Sequence, residues 1–522
     1  MNIIKFDKEC FKTIFFYLLL FLLSIVFTVS ANNYDNDIWS RLISGMAIVQ
    51  TGHILKYDFL SFTPTHEWFD HEWLSGVLFY ITQSKLGHIG ILFLQIIIIF
   101  VTMVFFVQAV KIKYADKIDY KNILISFVVL KSFLSTYASP IRCQSFTILF
   151  FMIELYILEK IRKTGDNKLF YILPLLFLFW ANMHGGVFAG LGILILYTIG
   201  EYLNKKSFKY YIIFAFICFL TLFINPYGID YVKFLLYAVN FNHSNILEWS
   251  NLFSLGYKIY MPFALLMLSY IMIEFIKCFK NGFSYVKLDK TKFLVIAVTL
   301  YLAVSHIKMI SFFALAVPMF CYSDIYLLFK NIKFPKYTMQ FVNVGFLVYS
   351  IIVISSTNFI PLIDYNHYPV LETEFVRKNH INGKILTSFA NGAYVSYKLY
   401  PQNTIYMDGR YETVYENKIH EDLKNFEYLN KDYEYILRKY NPDIILLSKN
   451  KPAFQYMKTE NKDYFLVFTG FNYGVFIKWN KYRNDFQNPS GDLKYYRNTV
   501  FDTNITFTGK NAIDINKING NH

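Results

Sequence analysis

The sequence predicts a mainly α-helical, polytopic membrane protein with about eleven transmembrane helices and a C-terminal external α/β domain. Of its 522 residues, 55% are hydrophobic and only 17% are charged, a composition typical of multi-pass membrane proteins. Apolar runs recur as far as Ser356, after which the composition becomes that of a soluble domain. We therefore expect a transmembrane domain at 1–356, an external domain at 357–480 and a polar C-terminal tail at 481–522.

A membrane-spanning helix needs about 20 predominantly apolar residues. The segments selected on this criterion lie near 13–31, 88–110, 121–138, 145–158, 169–182, 187–203, 210–224, 259–276, 292–304, 310–328 and 339–356. The segment 74–85 is too short to span and is expected at the membrane interface. The N-terminal run is longer than an ordinary signal-peptide core, so we interpret it as a retained first helix.

Lysine-rich loops alternate along the chain with loops that hold its unusual polar clusters. The second kind includes the first external loop at 32–74 and the connections at 139–144, 183–186, 225–256 and 305–309. Because cytoplasmic loops carry the excess of Lys and Arg, the N-terminus is predicted to be cytoplasmic and the C-terminal domain external. The net charge of +14 forms no single basic face, so no nucleic-acid partner is expected.

The region after Ser356 alternates predicted strands with predicted helices. The strands are expected at 383–388, 404–408, 443–448, 464–469 and 474–479, and the helices at 420–440 and 451–460. This alternation favours a small α/β domain. In the motif YMDGRY, Asp408 and Arg410 follow a strand and are expected to form a turn with a local ion pair.

The first external loop carries the leading catalytic candidate, Asp37. This residue follows the first apolar helix by a few positions, so its carboxylate is expected at the membrane surface. There it could accept a proton from a hydroxyl or an amine, or bind a cation that a lipid phosphate also needs. The alternative is a helix cap, because Asp37 directly precedes the apolar-periodic stretch 38–48.

The same loop contains HEWFDHEW, with His71 and Glu72 in its second half. The spacing is not HExxH, because His66 and His71 are five positions apart, about 140° around a helix. One helix face therefore cannot present both rings to one ion, and no metal site is predicted here. Trp68 and Trp73 suit an interfacial belt, while stacking of a sugar on these rings stays open.

Three further external segments carry groups suited to binding a phosphate or a sugar. Arg142 and Gln144 lie in SPIRCQSF, His184 lies in the turn WANMHGG, and Lys308 lies in a very short loop. Arginine binds phosphate through a fixed fork of donors, and a lysine near a lipid head group neutralises its charge. Interfacial snorkelling explains the two cations equally well, and a simple turn explains WANMHGG.

These motifs together show a resemblance. DIWSRLISGMAIVQTGHILKYDFLSFT, EWFDHEWL, IRCQSF, FWANMHGGVFAGL, NPYG, LEW and NGAYVSYKLYPQNTIYMDGRYETVY resemble a large group of uncharacterised bacterial multi-pass membrane proteins, from about Asp37 to about Trp479. In its arrangement that group is similar to the GT-C superfamily of polyprenyl-phosphate-sugar glycosyltransferases. The resemblance implies that Asp37 is the catalytic acidic residue. Asp37 is followed by Ile38 rather than by a second acid, so Asp35 or Asp58 would have to serve as its partner.

The leading hypothesis is a glycosyltransferase in the bacterial cytoplasmic membrane, with a sugar on a polyprenyl phosphate as donor and a glycan, lipid or protein as external acceptor. Asp37 and Asp58 are the catalytic candidates, and the substrate- and phosphate-binding candidates are Arg142, Gln144, His184, Lys308, His71 and Glu72. A divalent cation stays open as cofactor. The alternatives are a transporter or flippase of lipid-linked glycans, a polymerase of such glycans, and a non-enzymatic membrane assembly factor. Ionisable residues gathered at the outer surface favour chemistry there over passage through the membrane.

Overall fold

A computed structural model describes residues 8–30, 34–114, 141–240, 247–254, 289–329, 337–356 and 367–482, together with isolated positions between and around these ranges. The chain forms two compact units. The first unit comprises Met1–Asn32, Leu92–Val232 and Asn240–Phe359, and the second comprises Asn33–Ile91, Lys233–Val239 and Ile360–His522. The predicted span at 121–138, most of the one at 259–276, and nearly all of the polar tail lie outside the described residues.

Helices make up most of the described chain. Up to residue 356 they are α1 (Lys8–Ser30), α2 (Asp37–Thr51), α3 (Trp73–Tyr114), α4 (Gln144–Thr164), α5 (Ile172–Met183), α6 (Val187–Leu203), α7 (Lys209–Thr221), α8 (Ile229–Asn240), α9 (Lys290–Ser305), α10 (Ile310–Phe329) and α11 (Thr338–Ser356). Two of them end where glycine permits the left-handed conformation: Gly52 closes α2 at φ 71° and Gly165 closes α4 at φ 70°.

Two helices in the described part of the chain are long and apolar enough to cross a membrane, namely Cys10–Val29 and Trp73–Ile112. Five further apolar helices or helix segments are shorter. The second long helix joins the predicted interfacial segment 74–85 to the predicted span 88–110, and it is broken at Gly87, where φ is 66°. These apolar helices support a membrane protein, while the number of eleven spans stays a prediction.

A buried ion-pair network ties together the C-terminal ends of α4 and α6 and the start of α9. The Arg162 guanidinium donates to the carboxylates of Glu159, Glu201 and Asp289, each at 2.8 Å. Since a helix rises 1.5 Å per residue, this network is about 25–30 Å from the N-terminal end of α4. It fixes one end of the helix whose other end carries Arg142 and Gln144.

The second unit is built on a five-stranded sheet in the order β2-β1-β3-β5-β4. Its strands are β1 (Gly383–Thr387), β2 (Asn403–Ile405), β3 (Ile444–Ser448), β4 (Tyr464–Thr469) and β5 (Tyr473–Lys478). β1 pairs in parallel with β2 and β3, whereas β5 is antiparallel to β3 and β4. The helices of this region are α12 (Val370–Lys378), α13 (Gly392–Leu399), α14 (Asn417–Glu427), α15 (Tyr435–Tyr440), α16 (Pro452–Thr459) and α17 (Trp479–Tyr482).

The small sheet and its helices confirm the predicted α/β character of the C-terminal region, with one correction. The single helix expected at 420–440 is wrong, because the chain forms α14 and α15 there. The connection between them contains Leu429 and Asp432, which have φ values of 53° and 54° and cannot continue a right-handed helix. The helices α12 and α13 were not predicted.

The segment predicted to be the first external loop folds onto the C-terminal region within the second unit. Ser61 forms a parallel bridge with Ile405, so the loop extends the sheet at the β2 edge. The backbone N–H of Phe62 donates to Ile405 O at 3.0 Å, and that of Ile405 donates to Leu60 O at 2.9 Å. On α2, the buried Trp39 ring packs against Tyr394 and Tyr397 of α13. The loop is therefore a structural part of the unit that contains the sheet.

Candidate active site

Asp37 is the first residue of α2 in the second unit. Its backbone N–H donates to the Asp35 carboxylate at 3.0 Å, and the N-cap position that the sequence left open for Asp37 is occupied by Asn36, which makes no side-chain cap hydrogen bond. The Asp37 backbone carbonyl accepts from Ser40 Oγ at 2.8 Å. Asp37 is an acidic residue in the first turn of α2, where the positive end of the helix dipole attracts negative charge.

The Asp37 carboxylate lies against the DGR turn, which we define as Asp408, Gly409 and Arg410. A Cβ atom at position 409 would lie only 2.9 Å from Asp37 Oδ1. This is shorter than ordinary van der Waals contact, so the approach depends on glycine having no side chain. The DGR turn therefore packs directly against the Asp37 carboxylate.

The DGR turn is held by a buried cluster of charges around Arg410. The guanidinium Nε donates to Asp408 Oδ1 at 2.8 Å, and Nη1 donates to Asp58 Oδ1. Nη2 donates to the Tyr415 hydroxyl at 3.1 Å, and the guanidinium lies over the Trp68 ring at 4.7 Å. The expected local pair between Asp408 and Arg410 is thus present. Arg410 also pairs with a second carboxylate, that of Asp58.

Asp58 is fully enclosed, and its carboxylate is engaged by this cluster. Burial alone would raise the pKa of Asp58, but the Arg410 charge and hydrogen bonds involving Ser61, Arg410 and the Leu60 backbone outweigh it, so the pKa lies below its ordinary value. The pKa of Arg410 is raised because its two carboxylate neighbours outweigh the cost of burial. Asp58 therefore stays ionised and paired at neutral pH, which suits an anchor better than a proton acceptor.

His71 and Glu72 lie beside a second buried arginine in the same unit. Arg41 on α2 pairs with Asp70, and its Nη1 lies 3.4 Å from Glu72 Oε2. The His71 ring packs at 5.6 Å from the Phe234 ring, and its Nε2 lies 3.8 Å from Glu72 Oε1. Both side chains are partly exposed to solvent, 19% for His71 and 16% for Glu72, so both can contact a ligand.

In the first unit, Arg142 and Lys308, both predicted to bind phosphate, contact two consecutive residues of one segment. Arg142 donates both terminal guanidinium nitrogens to Glu248, one on each carboxylate oxygen, with Nη2 to Oε2 at 3.1 Å. Lys308 Nζ lies 3.1 Å from the centroid of the Trp249 ring. His306 Nδ1 contacts Trp249 O at 3.0 Å, which fixes the short loop of Lys308 to the same segment. Arg142 and Lys308, which are far apart in the sequence, are therefore held by the same short segment.

His184 and Gln144 join the same group through α4. Gln144 is the first residue of α4, two positions after Arg142. Thr147, in the first turn of that helix, has its Oγ1 2.8 Å from His184 Nδ1. The backbone N–H of Gly186 also donates to His184 Nδ1, at 2.8 Å. The structure thus gathers four of the predicted site residues around the N-terminal end of α4, where the helix dipole favours anions.

Three supporting residues were not selected from the sequence. Glu248 is the partner of Arg142, Thr147 is the partner of His184, and Gly409 gives Asp37 its position. Glu248 stands beside Trp249 in a segment predicted to be external, an acidic and aromatic pair that could have signalled a site. Thr147 lies inside an apolar helix and Gly409 inside a short turn, and neither has a sequence signal of its own.

The chain thus contains a mainly helical unit with apolar helices and a second unit with a small mixed sheet. No protein-family model matches the chain, and no curated protein matches it by sequence. Among solved structures, the oligosaccharyltransferase of Archaeoglobus fulgidus in its apo form is similar. The TM-score is 0.55 at 9% identity, covering 83% of this chain and 69% of that one.

Two further structures of the same archaeal enzyme are also similar. The complex with Zn and sulfate has a TM-score of 0.53 at 10% identity, with 82% of this chain and 68% of that one covered. AglB from the same organism, in complex with an inhibitory peptide and a dolichol-phosphate, has a TM-score of 0.52 at 9% identity and covers 83% and 69%. This chain therefore has the oligosaccharyltransferase fold, which confirms the GT-C-like resemblance at the level of the fold.

Proposed function

We propose that this protein is a membrane glycosyltransferase that moves a sugar from a polyprenyl-phosphate carrier to an acceptor on the external face of the bacterial cytoplasmic membrane. A fold alone does not define an activity, so the proposal has to be supported by the chemistry of the sites. The proposal is based on the bidentate pairing of Arg142 with the Glu248 carboxylate. Beside this pair, the Lys308 ammonium lies over the Trp249 ring.

A phosphate oxyanion matches what this part of the first unit can bind. The guanidinium fork of Arg142 fits two oxygens of a phosphate as it fits two oxygens of a carboxylate. Lys308 adds a second positive charge, and Gln144 adds an amide at the N-terminus of α4. In this proposal the carrier phosphate replaces Glu248 on Arg142, and the two cations stabilise the negative charge that the phosphate gains when the sugar leaves.

Asp37 supplies the base or the cation-binding oxygen. In the base role its carboxylate accepts the proton of the acceptor hydroxyl or amine while that acceptor forms a bond to the anomeric carbon. The bond between the anomeric carbon and the carrier oxygen breaks, and its electron pair leaves with the phosphate. Lipid phosphate is already a good leaving group, so positioning and charge neutralisation are the main demands on the protein.

The remaining candidates receive supporting roles. Asp58 is buried and paired with Arg410, so we assign it to holding the DGR turn against Asp37 rather than to contact with the substrate. His71 and Glu72 are partly exposed on the α2 side of the second unit and are assigned to contact with the sugar or the acceptor. Any divalent cation would be held by the Asp37 carboxylate in this scheme.

The test is a transfer assay on the full chain in lipid nanodiscs. The donors are a radiolabelled polyprenyl-phosphate hexose and a polyprenyl-phosphate pentose, and membrane extract supplies the acceptor. We expect Asp37→Asn to reduce transfer by about 100- to 10,000-fold, the usual contribution of a general base. Arg142→Ala and Lys308→Ala should each raise the KM for the donor by about 10-fold or more, as expected for hydrogen bonds to a charged group.

Two matched controls separate these effects from general damage. Asp463→Asn removes an exposed carboxylate, and Arg438→Ala removes an exposed guanidinium in the same unit as Asp37. Both variants should transfer sugar at the wild-type rate. Full activity of Asp37→Asn in a folded, inserted protein would contradict the role of Asp37, and no release of sugar from any polyprenyl-phosphate donor would contradict the function itself.

A further inference from the structure

Glu154 lies at the centre of α4 and is fully buried in the first unit. Neither of its carboxyl oxygens has a hydrogen-bond partner in the described part of the chain. Glu159, five positions later on the same helix, accepts from Arg162 at 2.8 Å and from the Tyr197 hydroxyl at 2.9 Å. Two buried glutamates of one helix therefore differ in their surroundings, because one has two donors and the other has none among the described residues.

The carboxyl group of Glu154 lies where α4, α5 and α6 meet. A Cβ atom at position 190 of α6 would lie 3.0 Å from Glu154 Oε2, 2.6 Å from the Trp180 ring and 3.0 Å from the Phe177 ring. Because Gly190 has no side chain, the carboxyl group and both rings approach the same point of the α6 backbone. Trp180 and Phe177 are fully buried, so the carboxyl group lies beside apolar rings rather than beside solvent.

The helices that pack beside α4 bring no positive charge to this carboxyl group from their described residues. The stretches of α3 and α10 next to α4, at 95–105 and 310–320, contain no ionisable residue, and neither does α5. From α7, Cys218 is close enough to interact with Glu154, but a thiol cannot supply a positive charge. The ionisable groups of α6 nearest in sequence, Tyr197 and Glu201, belong to the network around Arg162.

The cations of α4 itself are also engaged elsewhere. Lys160 and Arg162 follow Glu154 by six and eight positions, which is about 9 and 12 Å along the helix axis. Lys160 Nζ donates to the Tyr156 hydroxyl at 3.2 Å, and Arg162 is paired with three other carboxylates. The remaining lysines near this end of α4 are exposed to solvent.

We propose that Glu154 is a proton-binding site, whose carboxyl group carries its proton at neutral pH in the core of the helical unit. An ionised carboxylate that is buried without a donor or a cation is very costly, whereas the protonated acid is neutral. A metal ion is a poor substitute, because hard cations require several oxygen ligands and the described residues contain no group of three or more metal-binding side chains. Ionisable groups at membrane depth are typical of proton relays, and the inference does not depend on the proposed function.

The protonation state is measured by infrared spectroscopy on the full chain in lipid nanodiscs. A protonated carboxyl group has a C=O stretching band that a carboxylate lacks. At about pH 8, where exposed carboxyl groups are ionised, we expect this band in the wild type and its loss in Glu154→Gln. Glu159→Gln is the matched control on the same helix, and it should lose carboxylate bands instead, because Glu159 is paired with Arg162.

Isotope labelling makes the same measurement possible without any substitution. In the wild-type protein grown with 13C-glutamate, the acid band at about pH 8 should shift in frequency, which assigns it to a glutamate rather than to an aspartate. Absence of any glutamate acid band at this pH would overturn the inference even if Glu154→Gln failed to fold.

A second measurement uses the pH dependence of reversible unfolding in mixed detergent micelles. In the unfolded chain Glu154 ionises above about pH 4.3, so unfolding above this pH releases a proton that the folded protein holds. The stability that this group contributes is complete below about pH 4.3 and is lost as the pH rises. Relative to Glu154→Gln, the unfolding equilibrium constant of the wild type should increase about 10-fold per pH unit between about pH 6 and pH 8. Relative to Glu159→Gln it should show no such trend, because Glu159 is ionised in both states.

The outcomes decide the inference separately from the proposed function. An acid band of equal strength in the wild type and in Glu154→Gln would overturn it, and so would an unfolding equilibrium whose pH dependence is the same in both. A wild-type band that disappears when sodium chloride replaces choline chloride would show a cation in place of the proton, which also overturns it. A wild-type protein with the band and the pH trend but without sugar transfer would refute the transferase and leave the proton site in place.

Discussion

Substitution of Gly409 by alanine would place a methyl group 2.9 Å from Asp37 Oδ1. Ordinary contacts of this kind lie at 3.4–4 Å, so the carboxylate or the DGR turn would have to move by about half an ångström. Because a misplacement of about 1 Å at a reacting group can cost about 100-fold in rate, we expect kcat to fall by about 10-fold. The KM for the lipid donor should change little, because Arg142 and Lys308 are untouched.

The assay is steady-state transfer with the lipid donor varied, together with thermal unfolding of the same preparation. The backbone at Gly409 lies outside the left-handed region, so alanine adds a side chain without backbone strain. Gly192→Ala is the matched control, since its methyl group has no heavy atom within 4 Å. It should leave kcat and KM at their wild-type values and should not lower the unfolding midpoint, because alanine is more favourable than glycine inside the helix α6.

A double variant decides whether Gly409 acts through Asp37. In an Asp37→Asn background the catalytic carboxylate is already lost, so adding Gly409→Ala should cost less than about 2-fold more in kcat. If Gly409→Ala lowered kcat by the same factor in the wild-type and in the Asp37→Asn background, Gly409 would not act through the Asp37 carboxylate. A wild-type kcat for Gly409→Ala alone would refute the reasoning outright.

Three further predictions concern the charged pairs. Arg410→Met should lower the free energy of unfolding of the second unit by about 3–5 kcal/mol, because Asp58 and Asp408 are left buried without their cation; a fall in the thermal midpoint no larger than that of a surface arginine variant would contradict this. Because the pKa of Asp58 is lowered in the folded protein, its stabilisation is present above about pH 4 and is lost as the pH falls through the folded-state pKa. The difference in midpoint between wild type and Arg410→Met should therefore shrink from about pH 5 to pH 2, and a constant difference would count against the pair. Glu248→Gln should lower the KM for the lipid donor several-fold, because Arg142 no longer has to release a carboxylate before it binds phosphate; a raised KM would mean that Glu248 orients Arg142 instead.

Local patterns in the sequence predicted the strands of the C-terminal sheet well, while the number of membrane spans stays a prediction. The alternation after Ser356 predicted all five strands of the sheet, because β-rich runs and turn residues are local signals. The order of the sheet and the added bridge from Ser61 to Ile405 could not be predicted, since pairing depends on contacts between distant segments. The helix α13 was missed for a related reason. Its small and aromatic residues have weak helix preference, and packing against Trp39 of α2 stabilises it instead.

The same distinction explains why the sequence could propose site residues but not their environments. Asp58 was a reasonable second acid by position, yet Arg410, which holds it, is 352 positions away in the chain. A single sequence shows that a residue can ionise, but only the folded contacts show whether its charge is already paired. Asp37 and Asp58 share one loop and one residue type, and the structure separates them by their neighbours. Asp37 begins α2 and its carboxylate lies against Gly409 of the DGR turn, whereas the carboxylate of Asp58 is buried and paired with Arg410. The buried pairing of Asp58 is the physical reason for testing it as a support of the DGR turn rather than as a proton acceptor.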